Sequence, residues 1–305
     1  MKRWIVYQRE RFPLLGHAPL VAAFSASAVC FSRLSRGEPG LPAAKTLLVA
    51  FLTALLFFLQ LRISDEFKDF EDDARYRPYR PMPRGLVTLG ELAAVGIAAG
   101  VVQLGLAIWL EPSLIWLLLL AWGYLAVMSR EFFVPEWLKT RPAIYMVSHM
   151  AIIPLIDLYA TACDWLVAGL AWPPDGLYWF LIVSYFNGIV VEIGRKTRAP
   201  GDEEAGVETY SALWGRSAAL AVWFAAAAAT ALCAWQAARQ IDFAQPVSWL
   251  LLVLVAICAT LALRFNRRPV KGSGKIIEVA SGVWTLLMYL SLGALPALIR
   301  AGQAP

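Results

Sequence analysis

Charge is scarce in this 305-residue chain: only 16% of its residues are Asp, Glu, Lys or Arg, against 59% hydrophobic residues. A water-soluble domain of this length needs a charged surface that such a composition does not supply, so the balance excludes an ordinary soluble enzyme. Cysteine is scarce as well. Cys30, Cys163, Cys233 and Cys258 lie in or beside different apolar segments with no C-x-x-C spacing, which excludes a disulfide framework and a zinc site and leaves small buried residues. Low-complexity sequence is confined to Ala225 to Ala229, which helix propensity and close helix packing explain.

What the chain has in abundance is long apolar runs, with a mean hydropathy of +0.60. They fall at roughly 14–32, 44–63, 88–110, 112–129, 143–165, 176–194, 216–238, 247–265 and 277–299, each near the roughly 20 residues that cross a bilayer as helix. This predicts nine spans in an all-α integral membrane protein, a single polytopic membrane domain over 1–305. The first is the weakest, because Pro13, His17 and Pro19 interrupt it. The amino terminus carries Lys2, Arg3, Arg9 and Arg11, but its apolar stretch begins too late and no small-x-small site closes it, so a retained helix is expected rather than a signal peptide. With that terminus in the cytoplasm, inside segments hold 22 of the 27 Lys and Arg and outside segments hold 5. The net charge of +5 and pI near 9.1 follow from this placement against an anionic leaflet and require no nucleic-acid partner.

The exception to the scarcity of charge lies directly after the second apolar run. Asp65 to Asp73 holds six carboxylates in nine residues. Asp65, Asp69 and Asp73 are spaced four apart and Glu66 shares the neighbouring stripe, so a helix would stack at least four acids on one side. Like charges that close stay ionised only with cations among them, and oxygen-only ligands point to magnesium rather than zinc. A second polar connection, Glu192 to Gly215, also mixes acids with arginines. Both enter the next helix through a similar phrase, Gly85-Leu86-Val87-Thr88 and Gly206-Val207-Glu208-Thr209, which suggests a duplication. Thr88 with Glu91 forms a capping box that starts the third span.

These residues resemble the UbiA-type intramembrane prenyltransferase superfamily. Its first motif, N-D-x-x-D-x-x-x-D, matches Asp65 to Asp73 in spacing, with Asp65 for the Asn and Glu66 for the first Asp. The family's R-P-[LI]-x-x-G phrase appears as Arg80-Pro81-Met82-Pro83-Arg84-Gly85, and its second motif matches at Asp202, Gly206, Thr209 and Gly215. Arg198 stands where the family usually places another Asp; Glu192, Glu203 and Glu204 are the candidates for the missing oxygen ligand. The resemblance spans nearly the whole chain and implies nine helices around a central cavity, with both motifs on the cytoplasmic side.

It also implies the chemistry: magnesium-dependent transfer of an isoprenyl or polyprenyl group from an allylic diphosphate to a lipophilic, aromatic or quinone-type acceptor. Carboxylate-held cations and basic side chains stabilise the leaving diphosphate, and an apolar, aromatic-lined chamber shelters the allylic cation. Asp65, Glu66, Asp69, Asp73 and Asp202 are the expected metal ligands, with Glu192 as a further catalytic acid. Arg77, Arg80, Arg84, Lys139, Arg141, Lys196 and Arg198 are the expected diphosphate contacts, although positive-inside topology alone also explains basic residues there. Asn187 and His149 are expected to face the cavity, His149 alternatively as a packing residue. Asp157, an acid within the fifth span, should face protein or water, or lie near the outer surface. A UbiA-related terpene cyclase, which the Arg198 departure keeps open, and a cation transporter are the competing readings; the latter expects a site near the bilayer midplane rather than at one face.

Overall fold

Each apolar run becomes a helix because no water is available in a bilayer to satisfy backbone groups outside one. The computed structural model describes residues 2–38 and 40–303, and no strand occurs among them. In chain order the helices are α1 (Lys2–Arg11), α2 (Leu14–Ser35), α3 (Ala44–Lys68), α4 (Phe70–Tyr76), α5 (Leu89–Leu110), α6 (Leu114–Ser129), α7 (Pro135–Lys139), α8 (Pro142–Met150), α9 (Ile152–Trp165), α10 (Leu177–Arg195), α11 (Tyr210–Trp214), α12 (Arg216–Gln240), α13 (Ala244–Arg267), α14 (Lys275–Leu292) and α15 (Ala294–Gln303). Eight helical segments among the described residues are long and apolar enough to cross a membrane, with α8 and α9, and α14 and α15, each acting as one broken span. The ninth expected span is α6, which at 16 residues is about 24 Å long.

Helices α2, α3, α9, α10 and α14 close a ring, each packing on the next. Aromatic side chains fill it: Phe31 stacks on Phe180, and Phe24 and Phe180 both pack against Tyr289. Large apolar side chains such as Trp116, Leu252 and Ile97 point outward, exposed by 64–75%. In water such a surface would aggregate, whereas against lipid tails it costs nothing.

Two predicted local features appear as expected, and one differs. Thr88 caps α5 through the Glu91 amide while the Glu91 carboxylate accepts from the Thr88 N–H, completing the capping box. The duplicated phrases share a geometry: Gly85 and Gly206 both have φ above +69°, and three residues on Thr88 and Thr209 each cap a helix. The acidic stretch, however, is not one straight helix. It breaks at Asp69 (φ −90°, ψ 7°), between α3 and α4. Backbone bonds from Asp69 to Asp65 and from Asp73 to Asp69 continue the four-residue spacing across the break, so the charges of Asp65 and Asp73 are both felt at Asp69.

Inside the bundle, Asp157 is fully buried and accepts from Ser184, so it faces protein. At the ends of α2 and α9 opposite the acidic motif, Asp164 takes the Arg36 guanidinium in a fork at 3.0 and 3.1 Å and the Ser32 hydroxyl at 2.7 Å. Removing the acid strands a largely buried guanidinium. Asp164→Ala should therefore destabilise the protein by about 3 kcal/mol, read as a fall of several degrees in Tm in detergent; an unchanged Tm would show that the fork contributes nothing.

Candidate active site

The first acidic motif divides into two halves with opposite charge balance. Glu66 and Asp73 are each only 2% exposed. Burying a carboxylate without a partner is prohibitive, and both have cations. Arg11 donates through Nε to Glu66 at 2.5 Å and places Nη2 3.8 Å from Asp73. Asp73 also accepts from Arg77 at 3.1 Å and from Arg80 at 2.5 and 2.8 Å. Two acids thus carry three guanidinium groups. The other half is anionic: Asp65 has only Arg62, at 3.5 Å, and the Asp69 carboxylate makes no hydrogen bond or ion pair among the described residues. Burial first, then the neighbouring Asp65 charge, raises the Asp69 pKa above the usual carboxylate range, opposed by Lys68 and Lys196.

The second polar connection meets the first at its start. Glu192, near the end of α10 and 6% exposed, binds Arg195 at 2.5 Å and Lys196 at 2.8 Å. An acid whose i+3 and i+4 neighbours are basic holds both heads at the helix end. Asp65 lies within Coulombic range of Arg195, and Lys196 within range of Asp69, which brings α3 and α10 together around one charged centre. Two tyrosines border it. Lys68 hydrogen-bonds the Tyr145 hydroxyl and lies 4.9 Å from a Tyr145 ring centroid, while Lys196 lies 5.7 Å from that of Tyr210. Burial, then Glu192, pushes the Tyr210 phenol pKa up, so it remains a protonated donor.

Other sequence-derived candidates make contacts of their own. The Asp202 carboxylate accepts from the Gly272 amide at 2.6 Å, on the turn before α14. Arg198 donates to Glu204 at 3.0 Å and to the Asp202 carbonyl at 3.2 Å. Glu203 accepts from Thr209 and Ser211. Arg198, Asp202, Glu203, Glu204 and Gly272 line a cavity of about 440 Å³ together with Lys271, Lys275 and the Arg195 of the charged centre. Arg84 pairs with Glu10 at 2.8 Å. Lys139 is exposed, and Arg141 stacks on Trp137 and bonds its carbonyl. Asn187 is buried beside Tyr289. His149 is buried, stacks on Tyr145 at 3.8 Å and places Nδ1 2.8 Å from the Tyr145 carbonyl, which only accepts and so fixes the proton on Nδ1.

No three His, Cys, Asp or Glu side chains among the described residues gather into a metal cage. A hard cation of the magnesium type keeps most of its waters and takes one or two carboxylates plus ligand oxygens; Asp69, with no ion pair among the described residues, and Asp65, with Arg62 at 3.5 Å, are the least compensated of Asp65, Glu66, Asp69 and Asp73. Arg11, Lys68, Tyr145, Arg195 and Tyr210 escaped the sequence reading. Arg195 was legible as the i+3 neighbour of Glu192. Tyr145 and Arg11 had no local signal, since only the fold carries them to the motif.

A search of curated proteins finds no match. Among solved structures, a UbiA homologue from Aeropyrum pernix in its apo form aligns with a TM-score of 0.66 at 12% identity, covering 89% of this chain and 96% of that one. A digeranylgeranylglyceryl phosphate synthase aligns at 0.64 with 12% identity and covers 100% of both chains. A UbiA homologue from Archaeoglobus fulgidus bound to DMAPP and Mg2+ aligns at 0.55 with 14% identity, covering 94% and 98%. At these identities the structures establish the fold. The model of the UbiA prenyltransferase family matches residues 11–298, both acidic connections included, and so the chain belongs to the UbiA prenyltransferase family as an integral membrane prenyltransferase.

Proposed function

We propose that this protein transfers an isoprenyl group from an allylic diphosphate to a lipophilic, aromatic or quinone-type acceptor within the bilayer, that the reaction requires magnesium, and that the whole chain forms a single membrane domain. The observation that carries this reading is the charge division at the end of α3: an anionic pair, Asp65 and Asp69, beside the cations Arg77, Arg80, Arg195 and Lys196. A magnesium diphosphate presents the complementary pattern. The Archaeoglobus relative bound to DMAPP and Mg2+ shows the fold taking such a ligand.

Asp65 and Asp69 would hold the metal, which supplies charge stabilisation to the departing diphosphate. Asp73 orients Arg77 and Arg80, and Glu192 orients Arg195 and Lys196, so four donors are fixed before the substrate arrives and need no reorganisation as charge develops. When the allylic C–O bond breaks, the diphosphate leaves with the electron pair. The allyl cation is then sheltered by the apolar and aromatic side chains that fill the ring of helices. An electron-rich acceptor entering from the membrane forms the new bond and releases a proton. Asp202 and Arg198 support the loop rather than touch the substrate.

Incubation of purified protein with magnesium and a panel of allylic diphosphates tests the reading. Diphosphate release should depend on an aromatic or quinone-type acceptor; release without acceptor, giving a cyclic product, would make the enzyme a cyclase, and intact diphosphate with cation flux in liposomes would make it a transporter.

Asp69 provides a test in which function and stability move oppositely. Its raised pKa means the folded metal-free state binds a proton more tightly than the unfolded chain, so ionised Asp69 destabilises the fold at neutral pH, and the penalty disappears as pH falls through the folded pKa. Asp69→Asn should raise Tm in EDTA at pH 7, with the gain vanishing in acid, while turnover drops by roughly a hundredfold or more. Near-normal turnover would remove Asp69 from the site.

Both acidic connections and the amino terminus are assigned to the cytoplasmic side on the basic-residue bias. In a background lacking the four native cysteines, Asp72→Cys and Glu204→Cys should be labelled from the cytoplasm and Pro173→Cys from outside. Labelling of Asp72→Cys from outside would invert the orientation.

A further inference from the structure

The amino-terminal helix α1 lies against the first acidic motif rather than away from it. Trp4 and Tyr7 enter a small apolar cluster with Ile63, Met82, Val87 and Leu92, separate from the main core. Ion pairs fix both its ends: Arg3 to Glu91 at 2.5 Å, Glu10 to Arg84 at 2.8 Å and Arg11 to Glu66 at 2.5 Å. Arg11 is the residue this docking delivers. Its side chain is 9% exposed, and Nη2 is buried with no hydrogen-bond partner. A guanidinium with an unspent donor is costly in such a place, so the fold accepts a cost to bring a cation to Glu66 and Asp73.

We propose that Arg11 is a positioning residue that turns half of the acidic motif from a metal site into an anchor for arginines, so that Glu66 holds Arg11, Asp73 acts through Arg77 and Arg80, and Asp65 and Asp69 alone take the metal. The proposal rests on the magnesium diphosphate reading above and assigns roles within that site. Charge counting carries it. Glu66 and Asp73 bring two negative charges and Arg11, Arg77 and Arg80 bring three positive ones, leaving this half net cationic. Without Arg11 the sum is zero and a buried carboxylate is exposed to a passing cation. Loss of Arg11 should therefore strengthen metal binding and weaken diphosphate binding together, a paired shift in opposite directions that a merely structural role would not produce.

The test is a pair of thermal-shift titrations on the full chain in detergent, with magnesium alone and with inorganic pyrophosphate at saturating magnesium. In Arg11→Ala the magnesium midpoint should fall threefold or more and the pyrophosphate midpoint rise tenfold or more. Arg11→Lys, which keeps the charge, should return both to within about threefold of the native values. Arg11→Gln, which keeps donors for Glu66 without the charge, gives the same measurement if the alanine variant does not fold. Glu66→Gln, which removes one negative charge but no metal ligand, should raise the magnesium midpoint by no more than about threefold. A tenfold rise of that midpoint in Glu66→Gln, or an unchanged or raised one in Arg11→Ala, overturns the assignment while leaving the transferase reading intact. A native protein that responds to neither ligand overturns both.

Discussion

Three carboxylates buried at the ends of α3, α4 and α10 can exist as anions only because each is held by arginine or lysine, and much of the site follows from that requirement. Glu66, Asp73 and Glu192 together recruit Arg11, Arg77, Arg80, Arg195 and Lys196. Pairs of this kind contribute little net stability, because desolvation consumes most of the Coulombic gain. What they supply is position. Five flexible basic side chains are fixed toward one centre, and the rotamer entropy of holding them is spent in folding rather than at substrate binding.

The two halves of the chain solve the same local problem twice. After each acidic connection, a glycine with positive φ turns the backbone and a threonine three residues later caps the next helix, at Gly85 and Thr88 and again at Gly206 and Thr209. The glycine at 206 is also demanded by space, since a Cβ there would collide with the Tyr76 ring from the first connection. Each half sets a lysine against a tyrosine, Lys68 with Tyr145 and Lys196 with Tyr210. The halves nevertheless differ in their acids. The first keeps Asp69 without an ion pair among the described residues and Asp65 with Arg62 alone at 3.5 Å, whereas Glu192 of the second is held by both Arg195 and Lys196.

Legibility followed the range of the interactions. Spans were readable because a bilayer enforces about 20 apolar residues per helix, and the capping box because its partners are three residues apart. The Glu192 cluster lay in the sequence for the same reason, at i+3 and i+4. The break at Asp69 was not legible, because helix propensity and spacing both favour continuation. Arg11 was read as topology signal, since its partners are 55 and 62 positions away and nothing local marks it. The apolar cluster that docks α1 draws on residues as far apart as Tyr7 and Leu92.

The second motif shows why matching spacing does not fix a role. Asp202 matches the family position, yet its carboxylate binds the Gly272 amide, and Arg198, at the position of the usual acid, binds Glu204 and the Asp202 carbonyl. An arginine there repels the lysines and arginines around the first motif and is drawn to the acids of its own loop. The loop therefore closes on the turn before α14, where Gly274 approaches the backbone of Thr197 and Arg198 too closely for a side chain. One turn back on α10 stand Glu192, Arg195 and Lys196, and their net charge is positive where a two-acid motif would be negative. In the proposed reaction the second half would therefore supply cations for the diphosphate, and Asp65 and Asp69 would hold the metal.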